Sequence, residues 1–148
     1  MASERSSPLR RLRVLVDTNV VLDQLLRRDP WFSQARSFWQ ARDSGQIVAY
    51  LPASVLTDIY YIGRKEVGHE QARAGIARCL REFGVIPVHR AVLDAALALP
   101  GTDFEDNVQI ACAQLSRLDL IVTRNTRDFR HSPIAAVEPA AVTGHLMP

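Results

Sequence analysis

Several features that would announce a function outright are missing from this chain. Its two cysteines, Cys79 and Cys112, stand far apart inside amphipathic patterns, which excludes both a disulfide framework and a close-spaced zinc cluster and fits a reducing cytoplasm. No Gly-rich phosphate loop and no Ser or Cys nucleophile motif occurs. The histidines His69, His89, His131 and His145 are scattered, so no His-based metal site is spelled out. Lysine is nearly missing: Lys65 is the only one. The arginines that replace it suit bidentate phosphate contacts, although an Arg- and Ala-rich chain also follows from genomic base composition. A formal charge of +2 is too small to mark a nucleic-acid binder by itself. Long apolar runs are absent too. The opening "MASERSSPLRRLRVLVD" holds only a short apolar stretch that ends in an acid, neither a signal peptide nor a membrane span.

What is present is an ordinary globular composition. With 148 residues, 47% hydrophobic and 23% charged, the chain can bury one core and carries too little charge for extended disorder. We expect a flexible tail over residues 1–10 and a single domain over 11–148, with no repeat or linker. The run "RLRVLVD" is β-branched and almost continuously apolar up to Asp17, as in a strand buried on both faces of a parallel sheet. Thr18 or Asn19 is placed to cap the following helix. "DPWFSQARSFWQARDSG" predicts one helix with Trp31, Ala35, Phe38 and Trp39 on one face and Gly45 past its end. "QIVAYLP", "VIPV" and "LDLIVT" read as further strands, separated by helical patterns, with "NTRDF" a turn or short helix. The Pro- and Ala-rich tail leaves room for one edge strand around Ala136–Glu138. Strands alternating with helices predict an α/β fold with a mainly parallel sheet.

The acids fall where such a sheet builds its sites, beyond the carboxyl ends of the strands. Asp17 follows the first strand directly, and Asn125 and Asp128 follow the strand "LDLIVT". Asp106 opens the helix before that strand. Asp58 sits in "LTDIYYI", where an apolar surround gives a carboxylate no obvious structural use. Four segments can therefore bring carboxylates to one cleft. Their repulsion would raise at least one pKa unless a cation neutralises them, and the ions suited to oxygen ligands are Mg²⁺ and Mn²⁺. A carboxylate-held metal pair, roughly 3.5–4 Å apart, activates water and stabilises the leaving oxygen of a phosphodiester.

Taken in order, "VLVDTNVVLD", the acid at Asp58, "FEDNVQIACA" and "LIVTRNTRDF" resemble the PIN domain, and more narrowly the small bacterial PIN ribonucleases of the VapC-like toxin type. The resemblance runs from about Arg13 to Phe129. It implies a three-layer α/β/α sandwich with a short parallel sheet, and an acidic cluster that binds Mg²⁺ or Mn²⁺ and cuts single-stranded RNA. By the same resemblance Asp17 and Asp106 match the main metal ligands. Asp58 stands where most members have Glu, and the shorter side chain would reach the metal through water. Asn125 stands where many have Asp; it either orients a ligand water or phosphate, or leaves Asp128 to supply the charge. A homodimer and a cognate antitoxin are also implied, the antitoxin inserting a basic side chain into the acids or covering them with an apolar helix. Two other readings stay open: a PIN nuclease that processes RNA or cuts DNA without an antitoxin, and a catalytically weakened PIN domain that binds RNA or a partner.

Each candidate also has a plainer reading. Asp17 is a good helix cap, Asp106 a first-turn acid that complements the helix dipole, Asp58 a partner for Arg64 or Lys65, and Asp128 a cap for the short helix. Asp103 and Glu105 read as first-turn acids, with Glu105 also placed to face the cleft. Asp23 reads as solvated or paired with Arg27. Thr18 and Thr123 read as structural, though either hydroxyl has the reach to hold a carboxylate. Arg124, Arg127 and Arg130 recur around the rim, as phosphate contacts or as solvated charge.

Overall fold

The computed structural model describes residues 10–146, so the tail expected over residues 1–10 lies almost wholly outside it. Five strands form one sheet in the order β3-β2-β1-β4-β5: β1 (Leu12–Val16), β2 (Ile47–Pro52), β3 (Gly84–Ile86), β4 (Leu120–Val122) and β5 (Ala136–Val137). Every pairing is parallel. The helices are α1 (Thr18–Leu25), α2 (Trp31–Gln34), α3 (Arg36–Asp43), α4 (Val55–Val67), α5 (His69–Glu82), α6 (Arg90–Ala98) and α7 (Phe104–Leu115), with 3₁₀ turns at Thr126–Phe129 and Pro139–His145.

The alternation of side chains along β1 builds the three layers. Val14 and Val16 face a core shared with Val20 and Val21 of α1, Phe38 and Trp39 of α3, Val55 and Ile59 of α4, and Cys79 of α5. Leu15 points to the opposite face, where Val92 and Ala96 of α6 and Val108, Ala111 and Cys112 of α7 cover it. All three β1 residues are fully buried, which is why the segment lacks the polar alternation of a half-exposed strand.

From β1 the chain winds through β2 to β3 on one side, then crosses to place β4 on the other side of β1. Such a reversal opens a crevice at the carboxyl ends of the two strands that flank it. Here those strands are β1, which ends just before Asp17, and β4, which ends just before Thr123.

Two expectations need correction. The single helix read from "DPWFSQARSFWQARDSG" is two, broken at Ala35 (φ −85°, ψ 0°). Ala35 and Phe38 are buried while Trp31 is 38% exposed, so one straight apolar face does not describe the segment. The cap of α1 is Asp17, extended at φ −68° and ψ 148°, rather than Thr18 or Asn19. The tail carries the short edge strand expected there and also a 3₁₀ turn that buries Val142.

Candidate active site

Asp17 is 8% exposed, and donors from three segments fix its carboxylate. The Thr18 N–H donates to Oδ1 at 2.8 Å. Gln109 Nε2, from α7, donates to the same oxygen at 3.1 Å. The Thr123 hydroxyl, just past β4, donates to Oδ2 at 2.8 Å and accepts from the Asn125 N–H at 3.0 Å. These donors are all neutral. A carboxylate offers about four acceptor positions, and three are used. Asp17 is thus both a helix cap and an oriented, uncompensated charge. Beside it, the Thr18 hydroxyl and Gln109 Oε1 are buried and have no hydrogen-bond partner among the described residues.

The acids of α7 divide their work. Asp103 caps the helix, accepting from the Asp106 N–H at 3.0 Å. That leaves the Asp106 carboxyl free to face the cleft, where its pKa is pushed up to about 7, first by burial and then by the charges of Asp103, Asp17, Asp128 and Glu105. Burial alone disfavours the charged form of a carboxyl, and the facing carboxylates add to that effect. Behind α7's first turn, buried Asn107 donates from Nδ2 to the Gly101 carbonyl at 2.9 Å. A Cβ at Gly101 would come within 2.5 Å of Asn107 Oδ1, so a larger residue there would push aside the Asn107 amide that seats this turn.

Asp58 lies in the first turn of α4 and is half-buried. Its neighbour is a further acid rather than Arg64 or Lys65. Burial raises the Glu105 pKa, and hydrogen bonding to Asp58 and its charge add to the rise. Glu105 therefore joins the cluster instead of serving only the helix dipole. Asp128 is exposed and its charge reaches Asp106; no side chain caps the 3₁₀ turn that contains it. Asn125 is exposed and enters through its backbone N–H, its side chain forming no hydrogen bond among the described residues. Asp17, Asp58, Asp106 and Asp128 are thus brought to one region. Even so, among the described residues no three Asp, Glu, His or Cys side chains are drawn together at the spacing that encloses a metal ion.

Asp23 corrects another expectation. It is 2% exposed rather than solvated, and its partners are Arg124 at 2.9 Å and Arg28 at 3.9 Å, not Arg27. Arg124 is therefore no free rim charge, whereas Arg127 and Arg130 are exposed. Sequence reasoning missed Gln109 altogether. The signal was its place one helical turn beyond Asp106, on the same face of an amphipathic helix.

The fold and these acids define a small parallel α/β domain with a carboxylate cluster at the crevice beside its central strand. The sequence matches the PIN domain family over residues 13–127, and the chain belongs to that family. No curated protein matches the sequence. Solved structures share the fold. The toxin–antitoxin complex from Klebsiella pneumoniae is 24% identical with a TM-score of 0.65, covering 85% of this chain and 97% of that one. The DNA-bound VapBC of Salmonella typhimurium is 17% identical with a TM-score of 0.68, covering 86% and 98%. A VapC toxin of Mycobacterium tuberculosis that cleaves the sarcin–ricin loop is 18% identical with a TM-score of 0.61, covering 73% and 86%.

Proposed function

We propose that this PIN domain is a metal-dependent endoribonuclease that cleaves single-stranded RNA and serves as the toxin of a toxin–antitoxin pair. The observation that carries the reading is the convergence of Asp17, Asp58, Asp106 and Asp128 from four segments beside the crevice, with Asp17 buried and held only by neutral donors. Burial first, and then the neighbouring carboxylates, push the Asp106 pKa up to about 7. Protein folding rarely gathers like charges without a counter-charge, and sites that do so are commonly functional. The donor set consists of oxygens, which suits Mg²⁺ or Mn²⁺ over softer ions. Asp17 and Asp106 would hold the ion, with Asp58 reaching it through water and Glu105 beside it. A bound divalent ion supplies Lewis-acid activation of water and charge neutralisation at the leaving oxygen of a phosphodiester.

The chain's own residues have distinct duties in this reading. Thr123, Gln109 and the Thr18 N–H keep Asp17 in one orientation, so that little reorganisation is needed. Glu105, its pKa raised first by burial and then by its neighbour Asp58, adds a further oxygen donor beside the cleft. Exposed Arg127 and Arg130 flank it and supply phosphate contacts to the RNA.

The partner follows from the same charge. A basic side chain inserted among these acids would gain their full attraction, which is how an antitoxin would silence the site. Two of the similar structures are toxin–antitoxin assemblies. We extend the likeness to a homodimer acting in the cytoplasm; no helix among the described residues is long and apolar enough to cross a membrane.

The test is cleavage of single-stranded RNA by the purified chain with Mg²⁺ or Mn²⁺, with and without EDTA, beside Asp17→Asn. Loss of a group that merely orients a metal ligand costs about 10–100-fold. Asp17→Asn, which removes a ligand itself, should lose more than that, and EDTA should abolish cutting. Equal cleavage by both proteins would sink the mechanism. No Mn²⁺ binding by the wild type at millimolar metal would favour a PIN domain that binds without cutting.

A further inference from the structure

One buried charge has no duty in the proposed reaction. Asp23 lies further along the helix that Asp17 caps, and its carboxylate forms an ion pair with Arg124, 2.9 Å from Nε but without the alignment of a hydrogen bond, with Arg28 at 3.9 Å. Arg28 in turn binds Glu66 of α4 at 2.6 Å. Arg124 is gripped from a second side, its guanidinium carbon 3.9 Å from the centre of the Trp31 ring. A buried ion pair is weak support for stability, because apolar side chains of the same volume often serve as well. Its position suggests a different use. Arg124 lies between Thr123, whose hydroxyl holds Asp17 Oδ2, and Asn125, whose N–H holds that hydroxyl. Pinned by Asp23 and Trp31, Arg124 cannot shift without carrying the turn with it. Its side chain is 21% exposed and its charge is already engaged, which argues against a phosphate contact.

We propose that Arg124 is a positioning residue: anchored by Asp23 and the Trp31 ring, it fixes the Thr123–Asn125 turn that orients the Asp17 carboxylate. The catalytic part of this proposal rests on the nuclease reading above, while the orienting part is a property of the metal-free chain.

The deciding experiment pairs amide hydrogen exchange on the metal-free full-length protein with RNA kinetics and Mn²⁺ titration. In Arg124→Met the Thr18 and Asn125 amides should exchange about ten-fold faster or more, with the amides of β2 unchanged. Meanwhile kcat should fall and the Mn²⁺ Kd rise, each about 10-fold or more, as for other groups that orient a metal ligand, with KM for RNA unchanged. Arg124→Lys keeps the charge but loses the flat face over Trp31, and should recover part of each loss. If Arg124→Met does not fold, Trp31→Leu removes the stacking alone and should move the same two amides less far. Wild-type exchange at those amides overturns the proposal whether or not the protein cuts RNA. A raised KM with kcat and exchange unchanged would make Arg124 a phosphate contact and also overturn it. So would faster exchange throughout the chain with normal kcat. If the wild type neither binds Mn²⁺ nor cuts RNA, the nuclease reading falls, and the exchange rates still decide whether Arg124 orients Asp17.

Discussion

Asp119 and Asp17 lie at opposite ends of the paired strands β1 and β4, and their partners differ in kind. At the amino end Asp119 accepts from the Arg13 N–H at 2.9 Å and forms an ion pair with Arg10. Arg13 itself lies over the Tyr50 ring, 5.2 Å from its centre. Charge there is answered by charge, and the carboxylate serves to tie β1 to β4. At the carboxyl end Asp17 is equally well hydrogen-bonded, but by neutral groups, and its charge bears on Asp106 and Glu105. One end of the sheet is balanced and the other carries an unanswered negative charge. Repulsion of that kind lowers stability unless a cation relieves it, so the second end is built for something other than holding the fold together.

The largest expected effect that sharpens this contrast comes from Thr123→Val, which keeps shape and removes the hydroxyl between Asp17 and Asn125. RNA cleavage and Mn²⁺ affinity should each drop about 10–100-fold, and urea unfolding should show a loss of about 1–3 kcal/mol from the unmade hydrogen bonds. Wild-type kinetics in this variant would mean that the orientation of Asp17 is of no consequence. A smaller effect is expected from pH in the metal-free protein. In the unfolded chain Asp106 titrates at its ordinary 3.8, whereas folded it keeps its proton to about 7. The folded state therefore binds more protons in that window, and stability falls as pH rises from about 4 through about 7. Melting should occur at lower temperature at about pH 8 than at about pH 5, a difference that Asp106→Asn flattens and saturating Mn²⁺ opposes. A melting temperature that stays level across that range would erase the distinction between the two ends. The smallest effect belongs to Asp119→Asn. Its partner Arg10 is exposed, so denaturation should reveal a loss under about 1 kcal/mol, with RNA cleavage unchanged.

Features local in sequence were legible, and those made by the return of the chain were not. β1 showed itself because Val14, Leu15 and Val16 are consecutive apolar residues buried on both faces, and Asp17 because it ends that run. The first turn of α7 was read as an acidic helix start, which holds for Asp103. The break at Ala35 was hidden, since Ala and Phe at helical spacing fit one long helix as well as two short ones. Asp23 looked like a surface acid with Arg27 within reach. Arg27 instead adopts a positive φ of 52° and is exposed, while the crossing from β3 to β4 delivers Arg124 from far along the chain. Gln109 was invisible for the same reason: its hydrogen bond to Asp17 exists only because α7 packs behind β1. The cluster itself was anticipated as a set of acids on separate segments, but the pairing of Asp58 with Glu105 needed the structure.

The double duty of Asp17 bears on how the chain can be handled at the bench. Its carboxylate caps α1 as well as facing the cleft, so replacement by alanine would strip the helix of its cap, a loss of about 0.5–2 kcal/mol, together with the charge. Asparagine keeps an acceptor for the Thr18 N–H and is itself a favoured cap. On the proposed nuclease reading, an inactive but intact protein for trapping uncut RNA is therefore better sought with Asp17→Asn than with Asp17→Ala.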